Sequence, residues 1–282
     1  MKPLKTKSEV RDFCRSVRDS GKSLGLVPTM GALHRGHLEI VRRSLSENDT
    51  TLVSIFVNPT QFNNAQDLEK YPRTLEGDLA KLREVGGDLR VFAPEVSEMY
   101  GDAVSSRAYD FKGLDQVMEG AFREGHFNGV GTIVEALLRL VGPDRAYFGE
   151  KDYQQLQIIR KLVEIRDIPV EIVGCPIVRE VDGLAMSSRN GRLTKRLREE
   201  APFIYRTLEE AKRRFGTKSA GKVKEFVEGV FGAHPDFELE YIEIAGDRDL
   251  KPVLRKSRHK KYRAFLAAYL GGVRLIDNLA LN

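Results

Sequence analysis

The chain of 282 residues is 41% hydrophobic and 31% charged, enough to bury a real core in two domains or in one large domain with an appendage. It contains no apolar run near the roughly 18 residues of a membrane-spanning helix, so no transmembrane span is expected. A formal net charge of +5 favours anionic partners without choosing among nucleotide, acidic metabolite, nucleic acid and membrane surface.

In chain order, Val10, Phe13, Cys14 and Val17 form a narrow helical stripe among charges, and no secretory apolar stretch precedes it. Leu24, Gly25, Leu26 and Val27 lack helical period and predict a buried parallel strand, which Pro28 is expected to end because proline has no N–H for a central ladder. Gly31 and Gly36 follow, then Leu38, Val41 and Leu45 at helical spacing, so the unit reads as strand, glycine-containing turn and helix. Such a turn aims free backbone N–H groups and the positive helix end at whatever lies beyond the strand tip, and the imidazoles of His34 and His37 can face the same group. A nucleotide-phosphate site and a plain strand-to-helix turn both satisfy this pattern. Zinc is disfavoured, since no Cys or His cluster stands nearby to complete a ligand set, and no protein-held metal is expected.

Residues 51–57 read as a second buried strand running into Asn58, Pro59, Thr60, Gln61, Phe62 and Asn63, a polar cluster placed where open α/β sheets read their ligands. Thr74 is a plausible N-cap for a helix carrying Leu75, Leu79, Leu82 and Val85, and a third strand follows at 89–93. Alternation of strands and helices with short links predicts a doubly wound sheet. Residues 95–115 read as a loop-rich excursion. Residues 119–131 hold four glycines around Arg123 and His126 and read equally as a pocket wall over an anion or as an exposed loop. A short strand then ends at Gly149, and a helix starts near Asp152 with Leu156, Ile159, Leu162 and Val163 inward. Lys151 at that edge opposes the helix dipole unless an anion sits there.

A strand is expected at 170–173, leading through Gly174, Cys175 and Pro176 to residues 177–180, with a turn at Asp182 and Gly183. Ser187, Ser188 and Arg189 then offer two hydroxyls and a guanidinium that could wrap phosphate or cap a helix. Two charged amphipathic helices in 195–231 and strands at 239–244, 263–270 and 273–276 suggest a small α+β domain, with the boundary just before Pro176. The basic run 255–261 lacks interleaved aromatics and reads as a solvated loop. Cys14 and Cys175, far apart in apolar surroundings, fit a reduced, cytoplasmic setting as small core residues.

His34, Arg35, Gly36 and His37 resemble the H-x-G-H signature of the nucleotidyltransferase superfamily, and residues 27–38 as a whole resemble the pantothenate synthetase, or pantoate–beta-alanine ligase, family. V-N-P-x-Q-F at 57–62, Y-P-R-T at 71–74, F-G-E-K-D-x-Q-Q at 148–155, D-G-L-A-M-S-S-R-N-G at 182–191 and R-L-I-D-N at 274–278 are similar to strings of the same family. The chain departs from it at Gly77, where an acidic pair is reduced to Asp78, at Glu124 in place of proline, and at Ala136 in place of lysine.

The resemblance implies a Rossmann-like domain over 1–175 that binds nucleotide and pantoate, and a C-terminal α+β lid domain over 176–282. It implies that pantoate is adenylated by ATP and that beta-alanine then displaces AMP, in a cytoplasmic homodimer without nucleic-acid or membrane partners. Catalysis would fall to His37, His34 and Lys151. ATP would be bound by Met30, Gly31, Ala32, Leu33, His34, Arg35, Gly36 and His37, by Gly149, Glu150, Lys151 and Asp152, and by Val178, Met186, Ser187, Ser188 and Arg189. Gln61 would contact pantoate and beta-alanine, and Gln155 pantoate, with Mg2+ carried on the nucleotide. Another H-x-G-H nucleotidyltransferase is the alternative, and a nucleic-acid-binding module related to tRNA synthetases a more distant one.

Overall fold

The structure is a computed structural model that describes residues 1–62 and 68–282; Asn63, at the end of the polar cluster, lies outside the described residues. Helix α1 (Lys7–Asp19) starts at Thr6 in a reciprocal capping box with Glu9 and buries Val10, Cys14 and Val17. Strands β1 (Leu24–Thr29), β2 (Thr50–Ile55), β3 (Leu89–Phe92), β4 (Arg145–Gly149) and β5 (Glu171–Cys175) form a parallel sheet in the order β3-β2-β1-β4-β5. The order reverses at β1, between β2 and β4, which is the topological switch point of a doubly wound sheet. The expected fold class holds: a Rossmann-like parallel sheet with flanking helices and a smaller antiparallel second sheet.

Pro28 does not end β1. It pairs with Ser54 of β2 in register, in the central strand of the sheet. Backbone polar groups alternate sides along a parallel strand: Leu24 O accepts from Asp144 on the β4 side, whereas Thr29 O accepts from Phe56 on the β2 side. Pro28 shares the parity of Leu24, so its missing N–H faces β4, where pairing stops at Leu26 and Ala146. The ladder therefore loses no bond there.

Helix α2 (Arg35–Glu47) follows β1, α3 (Leu75–Val85) precedes β3, and α4 (Val96–Tyr100) gives part of the expected excursion a regular turn. The glycine-rich segment is not a loop. Its first part is α5 (Glu119–Phe122), and from His126 it is α6 (His126–Val141). Gly129 and Gly131 sit inside α6 because a Cβ on Gly129 would lie 2.2 Å from Thr60 O, and one on Gly131 would lie 3.0 Å from the Tyr109 ring. Helix α7 (Tyr153–Ile165) buries Leu156, Ile159 and Leu162, with Val163 only half-buried. Around this sheet Val27, Val41, Val53, Leu82, Val91 and Tyr147 form a continuous core. Cys14 and Cys175 are both buried and reduced.

Beyond Pro176 the stretch 177–180 forms a single bridge, between Arg179 and Ala185. Three helices, α8 (Lys195–Glu200), α9 (Phe203–Phe215) and α10 (Ala220–Gly232), replace the expected two. The antiparallel strands β6 (Phe237–Gly246), β7 (Tyr262–Leu270) and β8 (Val273–Ala280) run longer than their apolar runs suggested. Ile204, Leu208, Val223, Phe231, Ile244 and Leu266 centre a separate core. Residues 255–261 are exposed. The chain divides into two compact units, Met1–Glu150 with Gln155–Pro176, and Lys151–Gln154 with Ile177–Asn282. Among the described residues no helix is long and apolar enough to cross a membrane.

In the first unit Glu135 of α6 is 1% exposed and bonded to Arg139 at 2.8 Å, Arg166 at 2.9 Å and the Tyr109 hydroxyl at 2.8 Å. Burial pushes its carboxyl up, but the hydrogen bonds from Arg139, Tyr109 and Arg166 outweigh it and hold it at about 2 against an ordinary 4.5. A depressed carboxyl stabilises the fold above its unfolded value and loses that contribution as pH falls from 4.5 through about 2. Glu135→Gln is expected to lose about 2 kcal/mol at pH 7, the half-exposed arginines being free to resolvate, and almost nothing at pH 2. Urea unfolding at both pH values checks this; an equal loss at both would refute it.

Candidate active site

Beyond β1 the chain enters a turn in which Gly31 (φ 81°) and Ala32 (φ 49°) are both left-handed. Gly31 is required on two counts, since a Cβ there would also lie 3.1 Å from Asp78 Oδ2 and 3.1 Å from Ile55. Asp78 of α3, wholly buried, accepts the Ala32 N–H at 2.9 Å through Oδ2 and the Leu33 N–H at 2.7 Å through Oδ1. Thr74 does not cap α3 with its side chain; its hydroxyl donates to Asp78 Oδ2 at 3.3 Å. Lys81 Nζ donates to Leu33 O at 2.5 Å, and the Gly31 N–H reaches Thr29 Oγ1 at 3.2 Å.

The turn therefore offers fewer free donors than its sequence suggests. Three of its N–H groups are held by Thr29 and Asp78, and that of His34 donates to His37 Nδ1 at 3.4 Å. The N–H groups at the start of α2, those of Arg35 and Gly36, carry the positive helix end. The rings of His34 and His37 lie 4.0 Å apart, tilted by 34°. Because Nδ1 of His37 is an acceptor, its neutral ring carries the proton on Nε2, which is a donor.

Gln61 follows β2 in a short 3-10 turn, Pro59–Gln61, and is 8% exposed. Its Nε2 donates to Met30 Sδ at 2.7 Å and its Oε1 accepts from Asn58 Nδ2 at 3.2 Å, which joins two of the expected site residues, Met30 and Gln61. Its carbonyl accepts from His126 Nδ1 at 2.8 Å and from Arg123 Nη2 at 3.3 Å, while Arg123 Nη1 stands 3.2 Å from His126 Nε2. Arg123 and His126 thus do not sit in an exposed loop; they fix the backbone that presents Gln61. Asn58 and Tyr100, bonded to each other and to Thr60, complete the support. At the end of β4, a Cβ on Gly149 would come 3.4 Å from Ile40, and Glu150 and Gln155 are half-buried. Ala136 is an exposed position of α6.

In the second unit Lys151 is half-buried, its Nζ 3.9 Å from Asp152 Oδ1, and its carbonyl accepts from Asn278 Nδ2 at 2.8 Å. Val178 and Met186 meet through the Met186 N–H and the Val178 carbonyl at 3.0 Å. Arg179 holds this hairpin, forking onto Asp277 at 2.6 and 3.0 Å and stacking 3.9 Å from the Tyr205 ring. Ser187 caps the 3-10 helix Ser188–Arg192, its Oγ accepting the Arg189 N–H at 3.2 Å, so the helix-cap expectation for this segment is met while Ser188 and Arg189 stay half-buried. Asp78, Arg123, His126, Asp277 and Asn278 support the expected residues without being among them. Asp277 and Asn278 lie in the R-L-I-D-N string, Arg123 and His126 in the glycine-rich segment and Asp78 where the acidic pair is reduced, and none of these signals names a partner.

A family model described as pantoate-beta-alanine ligase matches residues 2–280. The pantothenate synthetase of Christiangramia forsetii is 55% identical over 282 residues, covering 100% of both chains, and that of Flavobacterium psychrophilum is 50% identical over 98% of each. Among solved structures, a pantothenate synthetase from Thermus thermophilus superposes with a TM-score of 0.91 at 42% identity, covering 100% of this chain and 99% of that one. The pantoate-beta-alanine ligase of Francisella tularensis, solved with beta-gamma ATP and beta-alanine, gives 0.80 at 34% identity over 100% and 98%. With strand-tip turn, buried Gln61 and full-length likeness in agreement, the chain belongs to the pantoate-beta-alanine ligase family.

Proposed function

We propose that the protein is an ATP-dependent ligase that joins pantoate to beta-alanine. A carboxylate oxygen of pantoate attacks the α-phosphorus of ATP, the bond to the β-phosphate oxygen breaks, and pyrophosphate leaves. The amine of beta-alanine then attacks the acyl carbon, the carbon–oxygen bond to AMP breaks, and the nitrogen loses its proton as the amide forms. Activation is needed because a free carboxylate has no adequate leaving group. Family membership over the whole chain carries this reading, and the geometry of the first unit supports the division of labour.

Charge developing on the phosphates calls for fixed donors rather than a covalent protein intermediate. His37, with Nε2 as donor, and His34 beside it are assigned to the phosphates, together with the N–H groups that open α2. Met30, Gly31, Ala32, Leu33, Gly149, Glu150, Asp152, Val178 and Met186 are assigned to nucleotide contact, and Lys151, Ser187, Ser188 and Arg189 to its phosphate charge. Gln61, held through both its backbone and its amide, is assigned to pantoate and beta-alanine, and Gln155 to pantoate. Magnesium bound to the triphosphate would neutralise part of its charge. Among the described residues no group of three or more His, Cys, Asp or Glu could hold a metal. The first unit is read as the nucleotide and pantoate domain and the second as its lid, in a cytoplasmic homodimer.

The test is AMP release with each substrate omitted in turn. Release that requires pantoate and beta-alanine together with ATP, with an amide product, supports the assignment. A nucleotidyl product on a phosphate acceptor would instead favour a different transferase of the superfamily. Light scattering at the monomer mass would remove the dimer from it.

A further inference from the structure

Two consecutive left-handed residues open the nucleotide turn, and only one of them is glycine. Ala32 at φ 49° carries a Cβ in a conformation that L residues adopt at a cost, so something outside the turn must hold it. The holding group is on a different element, about 45 residues along the chain. Asp78 lies in the first turn of α3, and its carboxylate chelates the adjacent N–H groups of Ala32 and Leu33 at 2.9 and 2.7 Å. From one turn further along α3, Lys81 takes the Leu33 carbonyl, so both polar groups of that residue are tied to α3. A buried carboxylate beside a phosphate site would be an unfavourable neighbour unless its oxygens were occupied. Here both are, and the Thr74 hydroxyl adds a further bond to Oδ2.

We propose that Asp78, assisted by Lys81, is a positioning residue for adenylation: it clamps the Gly31–Ala32–Leu33 backbone in its left-handed form and so sets where the His34–His37 pair stands. The inference rests on the ligase reading above. Asp78 touches no reacting atom in this role. The carboxylate matters because it accepts two adjacent N–H groups at once; an amide of the same shape can accept one and must turn a donor toward the other.

The experiment compares the wild type with Asp78→Asn, Lys81→Met and the double variant Asp78→Asn/Ala32→Gly, by pyrophosphate release over a range of ATP and Mg2+, with thermal unfolding alongside. Asp78→Asn is expected to lose about tenfold or more in kcat/KM for ATP. That loss should persist at saturating Mg2+, with KM for pantoate unchanged. Ala32→Gly, which removes the steric objection to the left-handed turn, is expected to recover part of the loss in the double variant, a rescue that a general destabilisation would not give. Should Asp78→Asn fail to fold, Lys81→Met serves in its place, with an expected loss of about threefold. Activity of the folded variants within twofold of wild type, a loss abolished by added Mg2+, or a double variant no better than the single one would overturn the clamp. A wild type that releases no AMP from pantoate and beta-alanine would instead overturn the ligase reading, and the clamp's role in adenylation with it.

Discussion

His37→Ala is expected to lower the rate of pyrophosphate release by about two to three orders of magnitude while the protein stays folded, the scale seen when one preorganised donor to a developing oxyanion is removed. The ring does two separable things. Its Nδ1 accepts the N–H of His34 at the entry to α2, and its Nε2 carries a proton it can donate. The first is a helix-capping contact worth on the order of 1 kcal/mol, too small to unfold a two-unit chain. The second is the part assigned to the chemistry. Two substitutions separate them: asparagine places an acceptor near Nδ1 and nothing at Nε2, whereas glutamine reaches the Nε2 position. Asn is therefore expected to be as inactive as Ala, and Gln to recover part of the rate. Undiminished pyrophosphate release by His37→Ala would refute the assignment, and a recovery by Asn instead of Gln would reduce His37 to a cap.

Lys151→Met is expected to show the next largest effect, a fall of about a hundredfold in kcat, because the charge proposed to act on the transition state is lost from a partly desolvated position. Lys151 is 19% exposed, its backbone is held by Asn278, and Asp152 stands 3.9 Å from its ammonium, so among the described residues the cation is neither swept into solvent nor neutralised in a tight pair. Gln61→Ala supplies the contrast. Its amide, held by Asn58 and Met30, is the proposed contact for pantoate and beta-alanine, and its loss is expected to raise KM for both about tenfold with KM for ATP unchanged. Steady-state kinetics varying each substrate distinguishes the two patterns. Lys151→Met with kcat within twofold of wild type, or Gln61→Ala acting on ATP instead of pantoate, would break the division of roles.

The buried strands at residues 24–29, 50–55 and 89–92 were legible because each is a short apolar run bounded by turn residues, and the helices between them carry apolar positions at helical spacing. Pro28 was misleading for a definite reason: a proline rule about central strands assumes that every N–H has a neighbour to meet, and β4 had already parted from β1 at that height. The glycines of 119–131 misled in the opposite way. Glycine signals a turn when its φ is positive, but Gly129 and Gly131 are there because the backbone and rings packed against α6 leave no room for a Cβ. Neither exception can be seen without the neighbour that causes it.

The sequence by itself determined the alternation of strands and helices, the change of architecture near Pro176, the family and the candidate residues themselves, since all of these are written in local spacing and in contiguous strings. Only the tertiary structure decided what holds those residues in place. Asp78 meets Ala32 across 46 positions, His126 meets Gln61 across 65, and Asn278 meets Lys151 across 127. A side chain's hydrogen-bond partner is set by where the fold returns the chain, and periodicity, which describes only the next few residues, carries no record of that return.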